Sequence, residues 1–357
     1  MKKIFIGILL SFSLTSFAQQ KNFKVIAYST GNTDLMTQYP LQKVTHLIYS
    51  FLHLRNDTLA WSDEKQQMTL VQLGDLKKQY PNLKIMVSIG GWGGCEPCSS
   101  TFSTEEHRNT FAKTTVELLK QFNLDGLDLD WEYPAIEGYP GHLFDSSDKN
   151  NFTELVKSLR KEMGKDYLLS FAAGGFTDYL EKSIDWNEVM PQVDFVNLMT
   201  YDLVSGFSKV TGHHTPLKDY RPDQQSTEKC VNWLLQHGAK NEQLIIGAAF
   251  YARVWEQVSP VNRGLYNSGN FKQGVSYKNF DTYFADSLGF KYHWDRKAKA
   301  PYRYSKSQQL FATFDDERSI KAKAKFVKKK KLGGIMFWQL IEDKPVDGLI
   351  DTISKVL

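Results

Sequence analysis

Eight short, apolar, β-rich runs, each followed by an amphipathic stretch of helical period, set the tightest limit on what this chain can fold into. They are KVIAY (24–28), THLIYSF (45–51), KIMVS (84–88), GLDLDW (126–131), LLSFAA (168–173), DFVNLMTY (194–201), LIIGAAFY (244–251) and GGIMFW (333–338). Strands alternating with helices predict a parallel sheet covered by helices, and the count of eight predicts closure into a (β/α)8 TIM barrel of the α/β class. A doubly wound open sheet is the alternative, but no glycine-rich phosphate loop follows the first run. Catalytic groups are therefore expected where strands end, at the C-terminal face of the barrel.

The runs lie a few tens of residues apart except for the last pair, between Tyr251 and Gly333. A helix over roughly 316–330 fills part of that gap. The remainder, 254–314, alternates aromatic and polar residues, as in VSYKNFDTYF and YRYSK, and predicts a small α+β subdomain inserted between strands seven and eight to wall the cleft. The run Lys328–Lys331 closes the helix, where cations complement the helix dipole and Gly333 follows as a stop. It reads as a solvated face and not as a polyanion site.

Residues 1–18 read as a signal peptide. Lys2 and Lys3 precede an apolar run shorter than the ~20 residues of a membrane span, and Ser16 and Ala18 have the spacing of a cleavage site. The mature chain, 19–357, is then expected outside the cell or in the periplasm, as a monomer without membrane attachment. A formal net charge of +4 gives no basic field of the kind nucleic acid demands. In an oxidising compartment Cys95 and Cys98, on the loop GGWGGCEPCSS, read as a local disulfide and Cys230 as a buried free thiol. His213 and His214 are adjacent, a spacing that rarely ligates one ion, and no cofactor or metal is expected.

The chemistry concentrates on the fourth run. Extended alternation puts Asp128, Asp130 and Glu132 on one face and Leu127 and Leu129 on the other, so the carboxylates point into the barrel. Three buried carboxylates cannot all ionise cheaply, because each loses solvation and repels its neighbours. The inner acids are expected to share a proton, and at least one carboxyl stays protonated near neutral pH. Glu132, nearest the strand's C-terminal end, is best placed to protonate a glycosidic oxygen, a poor leaving group until protonated. Asp125 has the opposite parity and starts the strand, which assigns it structural and electrostatic support.

The segment DGLDLDWEYP resembles the DxxDxDxE signature of glycoside hydrolase family 18, and the chain closely resembles that family's chitinase branch. The likeness continues through VIAY (25–28), SIGGW (88–92), MTYD (199–202), TGHHTPL (211–217), FYAR (250–253), GGIMFW (333–338) and the inserted segment. It implies retaining, substrate-assisted hydrolysis of β-1,4 links between N-acetylglucosamine units, in chitin or chito-oligosaccharides. Glu132 would be general acid and base, Asp130 would orient the sugar's acetamide, Asp128 would exchange a proton with Asp130, and Tyr201 would hydrogen-bond the acetamide oxygen. The resemblance also implies a binding cleft. Tyr28 and Ser88 would support the acids, Asp202 and Arg253 would hold sugar hydroxyls, and Trp338 would form the floor under the scissile sugar. Trp92 would be an exposed platform, with Phe51, Gly91 and Met199 completing the lining.

The chain departs from the pattern at Phe207, where relatives often carry tryptophan, and at Gln339, where an acid is common; no role is assigned to Gln339. Two other readings remain: a noncatalytic sugar-binding protein on the same barrel, and an endo-β-N-acetylglucosaminidase acting on N-glycans. Retention of Glu132 weighs against the first, and WEYP with the insertion weighs against the second.

Overall fold

The structure, a computed structural model, describes residues 23–357; the expected signal peptide lies outside the described residues. Each of the eight runs becomes a barrel strand: β1 Lys24–Ser29, β2 His46–Arg55, β3 Lys84–Gly90, β4 Gly126–Asp130, β5 Leu168–Gly174, β6 Phe195–Met199, β7 Leu244–Ala249 and β8 Gly334–Trp338. Neighbours pair in parallel, and β1 bonds to both β2 and β8, so the sheet closes. A short strand, Thr58–Ala60, runs antiparallel to the end of β2.

Strands buried on both faces explain the nearly unbroken apolar runs, and β6 and β7 are buried along their whole length. One parity of each strand packs outward under helices. Leu127 and Leu129, for example, join the main core with Phe111, Leu119, Phe152 and Leu155 from helices Glu105–Gln121 and Asp148–Met163. The other parity fills the barrel with Ile26, Ile48, Met86, Phe195, Ile245 and Met336.

Three strand ends fall short of the predicted ones, the fourth run stopping at Asp130, one residue early. The sixth run stops at Met199, because Thr200 N–H turns back to the Leu198 carbonyl at 2.7 Å and leaves the ladder. The seventh stops at Ala249, and Tyr251 already opens a second sheet.

That second sheet lies between β7 and β8 in sequence and is wholly antiparallel. Its spatial order is Asn270–Ser276, Tyr251–Glu256, Leu310–Thr313, Ala300–Ser305, Phe290–Asp295. Alternation gives it two faces. Ala252 and Val254 pack with Phe284, Phe290 and Phe314 on one, while Trp255 packs with Tyr302, Tyr304 and Phe311 on the other. Arg253 shares the parity of Trp255, and its guanidinium reaches Asp202 beyond the end of β6. The return helix, Glu317–Lys330, starts with Asp316 accepting from Ser319 N–H while Ser319 Oγ accepts from Asp316 N–H, a reciprocal cap. Among the described residues no helix is long and apolar enough to cross a membrane.

Candidate active site

Strand register builds the site from below. Ser88, Asp128 and Ser170 stand level on β3, β4 and β5, all facing inward. Asp128 Oδ2 accepts from Tyr28 Oη and Ser88 Oγ, each at 2.9 Å; Oδ1 accepts from Ser170 Oγ at 2.6 Å and Asn197 Nδ2 at 3.1 Å. Burial pushes the Asp128 carboxyl upward, while these four donors hold it back. With four donors on its two oxygens, a proton on Asp128 must displace one of them.

Two residues higher, Asp130 is 4% exposed and its Oδ1 has no hydrogen-bond partner. Burial, followed by the Glu132 and Asp128 charges, drives its pKa well above the carboxylate range. The backbone here leaves no room. Gly91 N–H donates to the Asp130 carbonyl at 2.8 Å, and a Cβ on Gly90 would stand 2.1 Å from that oxygen. Gly91 sits at φ +76°, and a side chain there would strike the Phe51 ring.

Glu132 follows the end of β4. Burial pushes its carboxyl up to about 7, against a hydrogen bond from Tyr133 that lowers it; the Asp202 charge adds to the rise. Tyr201 has its pKa raised well above the phenol range by burial and then by Asp130 and Glu132, so its hydroxyl remains a donor at any pH of interest. Its Oη lies 3.9 Å from Met336 Sδ. The ring passes Gly247, where a Cβ would come within 3.0 Å of Tyr201 Cδ1 and 2.5 Å of the Leu198 carbonyl.

Asp202 adopts φ 53° in the left-handed region and takes Arg253 in a two-pronged pair, Nε at 2.7 Å and Nη2 at 2.6 Å. Burial opposes its ionisation, yet hydrogen bonds from His214 and Arg253 hold its carboxyl well below the usual range. The pair thus takes up much of what each residue was expected to offer a sugar. Trp338, at the end of β8, stacks on Phe51 with centroids 5.6 Å apart and planes 16° apart, and it tilts against Tyr28 at 6.1 Å. Phe51 therefore backs the indole. Met199 is buried in the barrel's inner cluster. Trp92 is 48% exposed, with Tyr133, Tyr139 and Phe207 around it. Phe207, where the chain departs from the family pattern, lies 6.1 Å from Trp92 and is itself exposed.

The supporting residues lie elsewhere. Asp125 is at the opposite end of β4, accepting from Lys77 Nζ and Ile85 N–H, and so fastens strands at the barrel's base. Cys95 and Cys98 form a disulfide in the loop after β3, and Cys230 is a buried free thiol pushed up to about 12 by burial. His213 pairs with Asp295 and His214 with Asp202; among the described residues no group of three His, Cys, Asp or Glu side chains is arranged to hold a metal. Gln339 has a structural part that its sequence position did not indicate: Oε1 accepts from both Thr30 N–H and Thr30 Oγ, tying β8 to the loop after β1.

Three residues went unassigned in the sequence. Ser170 and Asn197 are lone polar residues inside the apolar runs LLSFAA and FVNLM, which was the available signal. Tyr133 gave none, because its contact with Glu132 is made beyond the strand.

A model of the family described as "Glycosyl hydrolases family 18" matches residues 23–343. The chain is similar to Chitinase A1 of Niallia circulans, 31% identical over 298 residues, covering 76% of this chain and 42% of that protein. It is likewise similar to Chitotriosidase-1 of Mus musculus, 31% identical over 314 residues, covering 83% of this chain and 66% of that one. Among solved structures, a glycoside hydrolase family 18 N-acetylglucosaminidase from Paenibacillus barengoltzii superposes with a TM-score of 0.86 at 36% identity. That match covers 94% of this chain and 100% of the other.

Proposed function

The chain belongs to glycosyl hydrolases family 18, and from that premise we propose that it is an exported chitinase that cleaves β-1,4 links between N-acetylglucosamine units with retention of configuration. The observation that carries the proposal is the graded acid column. Asp128 is held by four donors, Asp130 is pushed strongly toward its protonated form, and Glu132 stands at about 7 next to Tyr201. An acid at about 7 is matched to giving and retrieving a proton near neutral pH.

In the first step the substrate's acetamide oxygen attacks the anomeric carbon, the bond to the leaving oxygen breaks, and Glu132 gives that oxygen its proton. Asp130 receives the acetamide N–H and balances the oxazolinium charge, while Tyr201 Oη donates to the acetamide oxygen. In the second step water attacks the anomeric carbon from the opposite face, its proton goes to the Glu132 carboxylate, and the acetamide is restored. Asp128 takes the proton that Asp130 gives up as it turns to the acetamide N–H, one of the hydroxyls on Asp128 reversing to accept from it, and returns that proton to Asp130 when the acetamide is restored. Trp338, backed by Phe51, supplies the apolar floor. Asp202 and Arg253, already joined, present a rigid polar wall.

A second reading, removal of single N-acetylglucosamine units from a chain end, is favoured by the 36% identity to a protein described as an N-acetylglucosaminidase. A time course of chitohexaose digestion with anomers resolved separates the readings. Dimers and trimers appearing early as β-anomers support the chitinase; monomer and pentamer alone support chain-end release. An α-anomer appearing first refutes the acetamide mechanism.

A further inference from the structure

Lys323 is the one lysine buried to 0% among the described residues, and nothing in the reaction above uses it. It projects from helix Glu317–Lys330, and its ammonium donates to Asp315 Oδ2 at 2.6 Å, Thr215 Oγ1 at 2.5 Å and the Gly247 carbonyl at 3.2 Å. All three N–H bonds are engaged. Asp315, also 0% exposed, accepts Ala249 N–H at 3.0 Å and Ser319 Oγ at 2.7 Å. A buried ion pair adds little stability over an apolar replacement, because the desolvation of both charges offsets their attraction. What it can fix is geometry.

The geometry leads to the reaction centre. Thr215 Oγ1 stands within 3.1 Å of both the Thr200 carbonyl and Asp315 Oδ2. Since that carboxylate oxygen is already occupied by Lys323 and Ala249 N–H, the single Thr215 proton is directed to the Thr200 carbonyl. On its other side Thr200 clasps β7, with Oγ1 donating to the Gly247 carbonyl at 3.1 Å and accepting Gly247 N–H at 3.0 Å. The peptide so held is the one that leaves β6 and carries Tyr201, followed by Asp202 in its left-handed conformation. Thr313, at the end of the inserted sheet, adds its Oγ1 as acceptor for His214 N–H at 3.2 Å.

We propose that Lys323, Asp315 and Thr215 form a positioning relay that holds the Thr200–Asp202 peptide so that Tyr201 meets the reacting acetamide, coupling the return of the inserted sheet to catalysis. The relay rests on the hydrolase reading above. It acts through Tyr201, so its effect must disappear when the Tyr201 hydroxyl is absent. A fold-supporting role would cost activity regardless of that hydroxyl.

The test is a double-mutant cycle on the full chain, with kcat and KM measured on chitotetraose. Thr215→Val removes the hydroxyl and keeps the shape and the ion pair. We expect kcat to fall about tenfold with KM within about twofold, and Thr215→Ser to restore kcat to within about twofold of wild type. In a Tyr201→Phe background Thr215→Val should cost less than about twofold more. Unchanged kcat in Thr215→Val, or a full tenfold loss retained in the Tyr201→Phe background, overturns the relay. Should Thr215→Val fail to give folded protein, the same cycle is run with Lys323→Gln/Asp315→Asn, which removes both charges together, under the same two criteria. A wild type inert on chito-oligosaccharides refutes the hydrolase reading and takes the relay with it, whereas an active wild type with an unaffected Thr215→Val refutes the relay alone.

Discussion

Replacing Tyr133 with phenylalanine should shift the alkaline limb of the pH profile upward, and the direction follows from the site. Glu132 stands at about 7 because burial outweighs the hydrogen bond that Tyr133 gives its carboxylate. That bond stabilises the ionised form; without it, ionisation is harder and the protonated acid persists to higher pH. A hydrogen bond to a charged group contributes about 1.5–3 kcal/mol net, and partial access of solvent to Glu132 places this one at or below the lower end. At about 1.4 kcal/mol per tenfold, the alkaline limb of kcat/KM should move up by about one pH unit. Two units above the wild-type midpoint, where wild type has lost about 100-fold, the variant should have lost only about 10-fold. The assay is kcat/KM on an unlabelled chito-oligosaccharide by product chromatography, because an activated aryl leaving group needs less acid assistance and would flatten the limb. A limb that stays in place, or moves toward acid, refutes the assignment of that limb to a Glu132 carboxyl bonded by Tyr133.

Glu132→Gln should abolish turnover while oligosaccharide binding, followed by tryptophan fluorescence, survives; turnover close to wild type would remove Glu132 from the reaction. The same variant has a stability signature. A carboxyl raised from its unfolded value to about 7 contributes stability below the unfolded pKa that is lost as pH rises through 7. The variant's Tm should therefore exceed that of wild type at pH 8 by an amount equivalent to about 2–3 kcal/mol, and match it near pH 4. Gly247→Ala should lower kcat at least about tenfold and cost about 1–3 kcal/mol in thermal unfolding, since its Cβ meets the Leu198 carbonyl and the Tyr201 ring. Wild-type kcat in that variant would show that Tyr201 has room to move without consequence.

Much of this was legible in sequence because it is local. The period-2 pattern put Asp128, Asp130 and Glu132 on one face, and the structure places Asp128 and Asp130 in the barrel interior with Leu127 and Leu129 packed outside. Eight apolar runs gave eight strands, since strands buried on both faces have no other way to read. Family membership, too, could be seen in motifs at strand ends. Less legible were contacts between distant segments. Nothing local marks Ser170 and Asn197 as the donors that complete the shell of Asp128, beyond their being polar in apolar runs. Nor does it mark Gln339 as the link between β8 and the loop after β1.

The sequence by itself determined the barrel, the acid column and the place of the insertion, because alternation and periodicity are properties of neighbouring residues. Only the tertiary structure decided how those acids divide their labour. Proton affinity depends on desolvation and on donors brought in from other strands, and these differ at Asp128, Asp130 and Glu132 despite identical parity. It also decided that Asp202 spends its charge on Arg253, from the inserted sheet. The buried lysine behind Tyr201 lies at helical spacing with Ile320, Ala324 and Val327 on the face its helix buries, but only packing brings its ammonium to Asp315 and Thr215.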